Sequence, residues 1–336
     1  MPESKEGLHS KPDVPPFRDV PPDAPQRPPE RLDLFRESEQ HEQEQRRQEW
    51  SKLLKMEVFS RSLRKTPLSP NEEKVFNQYV DARIRISDSY QKMDSEQLDM
   101  IRKHQGFDKI SSKVREAIDY HTSDVGWRYM AAFARSDANE MKAKMATGKT
   151  FDEVFDPALK RLGNTDAIAR VLMGDPQTFE EVKSKVEHLD RVAREKRLPE
   201  EVVVKTDLSE EEFRAFLFDE RGQRQDTVQA GHFWVDKWFV ATSLDHSNVY
   251  TSVYGPDTKT IRMYVTLPKE SSGVYIRDAS RHPEEEEVTL PLKTITRLDH
   301  VTHIDKSILT SDEKKRCQRI PTYVVQATRV EGEWRF

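Results

Sequence analysis

The chain has 336 residues, of which 35% are hydrophobic and 34% charged, with a formal net charge of −5. That balance predicts a soluble protein with long solvated segments and gives no charge-based reason to expect nucleic acid as a partner. No stretch approaches the roughly 20 apolar residues that cross a bilayer, and the single cysteine, Cys317, excludes an internal disulfide and a cysteine-based zinc site.

Residues 1–30 hold Pro12, Pro15, Pro16, Pro21, Pro22, Pro25, Pro28 and Pro29 among polar neighbours. Proline blocks helix and there is little to bury, so this head is predicted to be disordered and extended. It lacks the apolar segment of a cleavable signal peptide, and Met1-Pro2 leaves no terminal glycine for myristoylation. Such a head has the character of an unfolded polar secretion signal and equally of a plain flexible tail. From Arg31 to Arg64 a charge-rich helix is expected. Trp50, Leu53, Leu54 and Val58 recur at helical spacing and form a docking stripe. Arg46, Arg47, Lys52 and Lys55 alternate with glutamates, which reads as a solvated face.

Ser69-Pro70-Asn71-Glu72 opens the next helix with a cap, a first-turn proline and a capping box. Its buried face is Val75, Phe76, Tyr79, Val80 and Ile84. Helices over Ser111–His121, Trp127–Lys144 and Thr178–Arg197 follow, the last started by a Thr178/Glu181 box. Gly148-Lys149-Thr150 resembles the end of a phosphate loop. Ala143 stands where its first glycine belongs and no strand precedes it, so Gly148 is read as a helix end. Ser209 with Glu212 starts a further short helix, and strands dominate from Phe233 onward.

The stretch Ile261–Leu290 carries the most chemistry. It reads as strand, loop, strand and turn, then four glutamates, Glu284 to Glu287, at the mouth of Val288-Thr289-Leu290-Pro291. Residues two apart in a strand share a face, so Glu285 and Glu287 project together. Adjacent like charges repel, yet two carboxylates at a strand edge suit acid/base work or stabilisation of a cation. The plainer alternative is a solvated acidic turn. His300 and His303 lack further ligands for a zinc site. Cys317, between Arg316 and Gln318, has basic neighbours to lower its pKa but no base to activate it.

This segment resembles the catalytic core of mono-ADP-ribosyltransferases of the arginine-serine-glutamate class, which includes binary-toxin enzymes and Rho-modifying exoenzymes. The motif is carried by Glu285-Glu286-Glu287-Val288-Thr289-Leu290-Pro291. Upstream, Asp236-Lys237-Trp238-Phe239-Val240-Ala241-Thr242-Ser243 is similar to the family's Ser-Thr-Ser strand, and Leu198-Pro199 through Val204-Lys205 to its arginine strand. Thr322–Val330 is similar to its closing strand. Order and spacing agree over about the last 140 residues. The resemblance implies an α+β fold, with a helical N-terminal lobe packed on two roughly perpendicular β-sheets around a cleft. It divides the chain into a head (1–30), a helical region (31–195) and a catalytic β core (196–336).

What the resemblance further implies is an NAD-dependent transferase that modifies arginine on a host protein. Such a protein is a bacterial toxin or type III effector that leaves its cell without a signal peptide. Glu287 is implied as the catalytic glutamate and Glu285 as its partner. Lys205, Thr242, Ser243 and Phe239 are implied at the NAD site, with Tyr275 or His282 toward the acceptor. Lys205 stands where the family has arginine, keeping the charge but losing the planar fork. Ala241 replaces a serine whose hydroxyl, in the family, helps to place the ribose and the catalytic glutamate. These departures motivate a second expectation: a binding scaffold on the same fold with impaired NAD turnover.

Overall fold

The computed structural model of the protein describes residues 30–59, 67–87, 95–105, 110–162, 164–245 and 258–332. The expectation of a disordered head concerns a segment of which residues 1–29 lie outside the described residues. The chain divides into two units, Met1–Arg46 and Arg47–Phe336. The first holds the beginning of helix α1 (Glu30–Val58), and every later element belongs to the second.

Leu54 and Val58 of α1 are buried, whereas Leu53, expected on the same stripe, is 59% exposed. A step of one residue turns about 100° around a helix, which carries Leu53 off the docking face. Helix α2 (Pro70–Ser87) begins as its sequence dictates. Ser69 N–H donates to Glu72 Oε2 at 2.8 Å and Glu72 N–H to Ser69 Oγ at 3.2 Å. Val75, Phe76, Tyr79 and Val80 are buried, and Ile84 packs partly buried beside them.

Helices α3 (Ser95–Gln105) and α4 (Ser112–His121) come next. The single helix expected over Trp127–Lys144 is two, α5 (Gly126–Arg135) and α6 (Ala138–Ala146). The chain breaks at Asp137, which adopts left-handed backbone at φ 49°. Its carboxylate takes Lys237 Nζ at 2.5 Å, and Ser136 Oγ donates to the Ala132 carbonyl at 2.6 Å. Side chains that bond locally to backbone favour such stops. Gly148, at φ 93°, follows α6 and ends it. Helices α7 (Phe151–Val154), α8 (Thr165–Gly174) and α9 (Pro176–Glu195) complete the run. The cap of α9 is Asp175, not Thr178. Asp175 accepts from Gln177 N–H at 3.0 Å, and Thr178 donates its hydroxyl to the same carboxylate.

After α9 come β1 (Val202–Ser209), α10 (Glu210–Ala215), β2 (Leu217–Phe218), β3 (Phe233–Val235), β4 (Val240–Ser243) and β5 (Thr260–Leu267). Beyond them lie β6 (Val274–Tyr275), β7 (Glu287–Leu290), β8 (Ile295–His303), α11 (Ser311–Arg316) and β9 (Tyr323–Val330). Among the described residues these strands form one sheet in the order β2-β3-β8-β9-β5-β1-β4-β7-β6. β1 pairs with β5 over eight registered positions but with β4 at one, Lys205 opposite Ser243. The two sheets that the resemblance implied correspond to the two halves meeting at this seam. The long half has β5 and β9 parallel at its centre. The short half, β4-β7-β6, carries the glutamates.

Hydrophobic cores run from the helices into the sheet. Met130 of α5 and Phe179, Val182 and Val186 of α9 pack with Trp238, Phe239, Val274 and Ile276. Val75 and Tyr79 of α2 pack with Tyr264, Val324 and Cys317. Within that second contact lies a buried polar network. Arg262 donates to Asp207 Oδ1 at 2.8 Å, to Glu57 Oε1 at 2.7 Å, and contacts the Tyr79 hydroxyl. Burial works against the charge of Arg262, yet Asp207 and its neighbours hold its pKa above the ordinary value. Breaking such a buried pair costs about 3–5 kcal/mol, because the surviving charge is stranded.

Candidate active site

The four glutamates do not enter the strand as an extended run. Pro283–Glu285 makes a single 3₁₀ turn, Glu286 takes left-handed backbone at φ 48°, and Glu287 is the first residue of β7. A non-glycine residue holds that conformation when its surroundings fix it. Here the Tyr275 hydroxyl donates to Glu286 Oε2, and Arg277 Nε lies 3.4 Å from Oε1. Glu286 is thereby turned toward β6, while Glu285 and Glu287 both line one cavity. The pair was expected to converge through strand alternation; it converges through this turn instead.

The cavity measures about 310 Å³, the lower end of the range for small-molecule sites. Trp127, Trp238 and Phe239 give it aromatic walls, and Thr206, Ala241 and Thr242 line it from β1 and β4. Glu287 is 6% exposed. Its Oε1 accepts the Thr289 hydroxyl at 2.8 Å and stands 3.2 Å from His121 Nε2. A buried carboxylate is tolerable only with such bonds. Thr242 donates its hydroxyl to the Val288 carbonyl at 2.7 Å, tying β4 to the strand that bears Glu287. Ser243, opposite Glu287 in register, lies outside the cavity lining. Its hydroxyl reaches the Glu285 carbonyl at 2.5 Å and fixes the turn.

Lys205 requires a correction. It was expected to reach into the cleft and hold NAD, but its side chain is fully buried and absent from the cavity lining. Strand alternation sends it to the face of β1 opposite Thr206. There its ammonium lies 3.9 Å from Asp207, beside the Arg262 network, and burial lowers its pKa to about 8. The cation in the cavity wall is Arg135 of α5. It donates to Asp236 through Nε at 3.2 Å and Nη2 at 2.7 Å, and its Nη2 also bonds Glu212. Burial opposes its charge, but the two carboxylates keep its pKa above the ordinary range.

The remaining sequence candidates fall elsewhere. Tyr275 is buried under the turn, where burial and Glu286 raise its pKa, and His282 is exposed. His300 and His303 lie in β8 and border different cavities. Among the described residues no His, Cys, Asp and Glu group is arranged to hold a metal. Cys317 is buried, and desolvation pushes its thiol up to about 12, the reverse of activation by its basic neighbours. His121, Arg135 and Thr289 were missed by sequence reasoning. His121 and Arg135 come from helices, 166 and 101 residues from the groups they meet.

Residues 164–321, which include both glutamates, match the family model described as ADP-ribosyltransferase exoenzyme. The similarity to that family is confined to this segment, a little under half of the chain. No curated protein matches the chain. Solved structures similar to it include the C3stau2 exoenzyme of S. aureus with NAD, 15% identical, covering 71% of this chain and 94% of its own, at a TM-score of 0.41. The Clostridium limosum C3 exoenzyme is 16% identical, covering 73% and 99%, at 0.41. Plx2a, an ADP-ribosyltransferase toxin from Paenibacillus larvae, is 13% identical, covering 70% and 96%, at 0.39. Within this chain the matched segment begins at α8 and runs to the residues before β9, so α4 and α5, which bring His121 and Arg135 to the site, lie outside it.

Proposed function

We propose that the chain transfers ADP-ribose from NAD to an arginine of a host protein, as a secreted effector. The observation that carries this is Glu287, a buried carboxylate fixed by two donors at the edge of an aromatic-walled cavity, with Glu285 beside it. In this mechanism Glu287 supplies fixed negative charge where the ribose turns cationic, as its bond to nicotinamide breaks with the electron pair leaving on nicotinamide. Glu285 accepts the proton that the guanidinium nitrogen gives up as it bonds to the anomeric carbon. Thr242 and Ser243 hold β4 and the turn, and Phe239 walls the nicotinamide end. The lining residues Glu212, Asp236, Glu285 and Glu287 face a single arginine, a charge balance suited to the cationic nicotinamide end and to an arginine acceptor. The helices of 31–195 serve as the frame, and 196–336 as the catalytic core.

One observation favours a second reading, a scaffold that binds a host protein and turns NAD over poorly. Lys205 faces away from the cavity, and Arg135 is already bonded to two carboxylates. Among the described residues the lining therefore offers the pyrophosphate no uncommitted cation. Incubation with labelled NAD and a eukaryotic lysate separates the two readings. Transfer is expected, with Glu287→Gln lowering it by at least about 100-fold at nearly unchanged melting temperature. Transfer that survives Glu287→Gln would sink the residue assignment. Absence of labelling together with absence of heat on adding NAD would favour the scaffold.

A further inference from the structure

We infer that His121 is a positioning residue for Glu287, an inference that rests on the transferase reading above. His121 is the last residue of α4 and 5% exposed. Its ring lies against two cavity walls, 5.4 Å from Trp238 and 5.8 Å edge-on from Phe239. It does not line the cavity itself. What it reaches is Glu287 Oε1, at 3.2 Å from Nε2.

A carboxylate in this setting accepts, so the hydrogen of that bond sits on His121 Nε2. The Thr289 hydroxyl donates to the same oxygen at 2.8 Å. Both donors thus converge on Oε1 and leave Oε2 without a protein partner among the described residues. One oxygen anchors the side chain and the other is left for the substrate. Ala241, on the neighbouring strand β4, lines the cavity without bringing a hydroxyl to it. His121 supplies a donor from the helical side instead.

The cost of this arrangement also argues for a function. His121 Nδ1 is buried with no partner, and an unsatisfied buried polar atom costs about 1–3 kcal/mol. A phenylalanine would fill the same aromatic niche without that cost. The histidine is explained by its contact with Glu287, not by packing. Gly126 maintains the corner that delivers it: a Cβ there would lie 2.0 Å from the Tyr120 carbonyl oxygen.

The test compares His121→Phe, which keeps a ring and removes the donor, with His121→Gln, which restores an N–H on a shorter side chain. The full-length protein is assayed for NAD hydrolysis and transfer. His121→Phe should lower kcat about 10- to 100-fold through a misplaced carboxylate, with KM within roughly twofold and no loss of melting temperature. His121→Gln should recover part of kcat. Wild-type kcat in His121→Phe overturns the proposal. A second measurement does not depend on turnover: ¹⁵N NMR of the imidazole, expected to show the Nε2-protonated form with a resonance that moves in Glu287→Ala. An Nδ1-protonated ring, or one indifferent to Glu287→Ala, also overturns it. Inactivity of the wild-type protein with the NMR signature intact would count against the transferase reading and leave the contact standing.

Discussion

At the residue scale, position on an element outweighs residue type. Lys205 has the charge that phosphate binding needs, but a strand shows alternate residues to opposite faces, and Lys205 falls on the face with Asp207 and Arg262. The motif placed it on the right strand; its direction depended on which face of β1 meets the cavity. Cys317 behaves likewise. Its basic neighbours along the chain would lower the thiol pKa, whereas burial dominates and holds the proton on sulfur. We expect Cys317 to resist a thiol reagent at pH 8 in the native protein and to react on addition of denaturant. Rapid labelling of the native protein would contradict its burial. Glu287 was singled out through the resemblance, because four glutamates before Val288-Thr289-Leu290-Pro291 read locally as a solvated acidic turn just as well. His121 was not, since nothing local marks a helix-terminal histidine as the partner of a residue 166 positions away.

At the element scale, starts were legible and breaks were less so. Capping residues announced α2 and α10, where Ser69 and Ser209 accept from the backbone as their patterns implied. The interruption between α5 and α6 was not read, because Asp137 departs from helix only with Lys237 at hand to hold it. The turn at Glu286 was hidden for a related reason: its left-handed backbone is stabilised by Tyr275 and Arg277 from another stretch. Gly126, the first residue of α5, is a close approach that no other residue can make without moving backbone. Gly126→Ala should lower stability by about 1–3 kcal/mol and shift His121 and Trp127 together. Thermal unfolding alongside NAD turnover checks this, and an unchanged melting temperature would show that the corner adjusts freely.

At the scale of the whole molecule, the α+β class and the strand content were legible, but the connection between the halves was not, because it rests on one register position. The buried ionisable groups also predict a pH response of the entire fold. Burial lowers Lys205 and Lys306 to about 8 in the folded chain, against about 10.4 when exposed. Between those values the unfolded chain binds more protons, so stability rises as pH increases from 8. Cys317 and Tyr264, both pushed up to about 12 by burial, act in the opposite sense above their unfolded pKa values. Denaturant midpoints should therefore climb between about pH 8 and 9 and fall above about pH 10. A curve that falls steadily from pH 8 would mean that the two lysines are hydrated. The strand order carries one more consequence. β9, the final described strand, lies between β8 and β5 in the middle of the sheet. Ribosomes add roughly 5–20 residues per second, so the central gap of the sheet stays unfilled while the residues between β8 and β9 are made. Until β9 has emerged, a nascent chain therefore exposes the edges of β8 and β5 that it later joins.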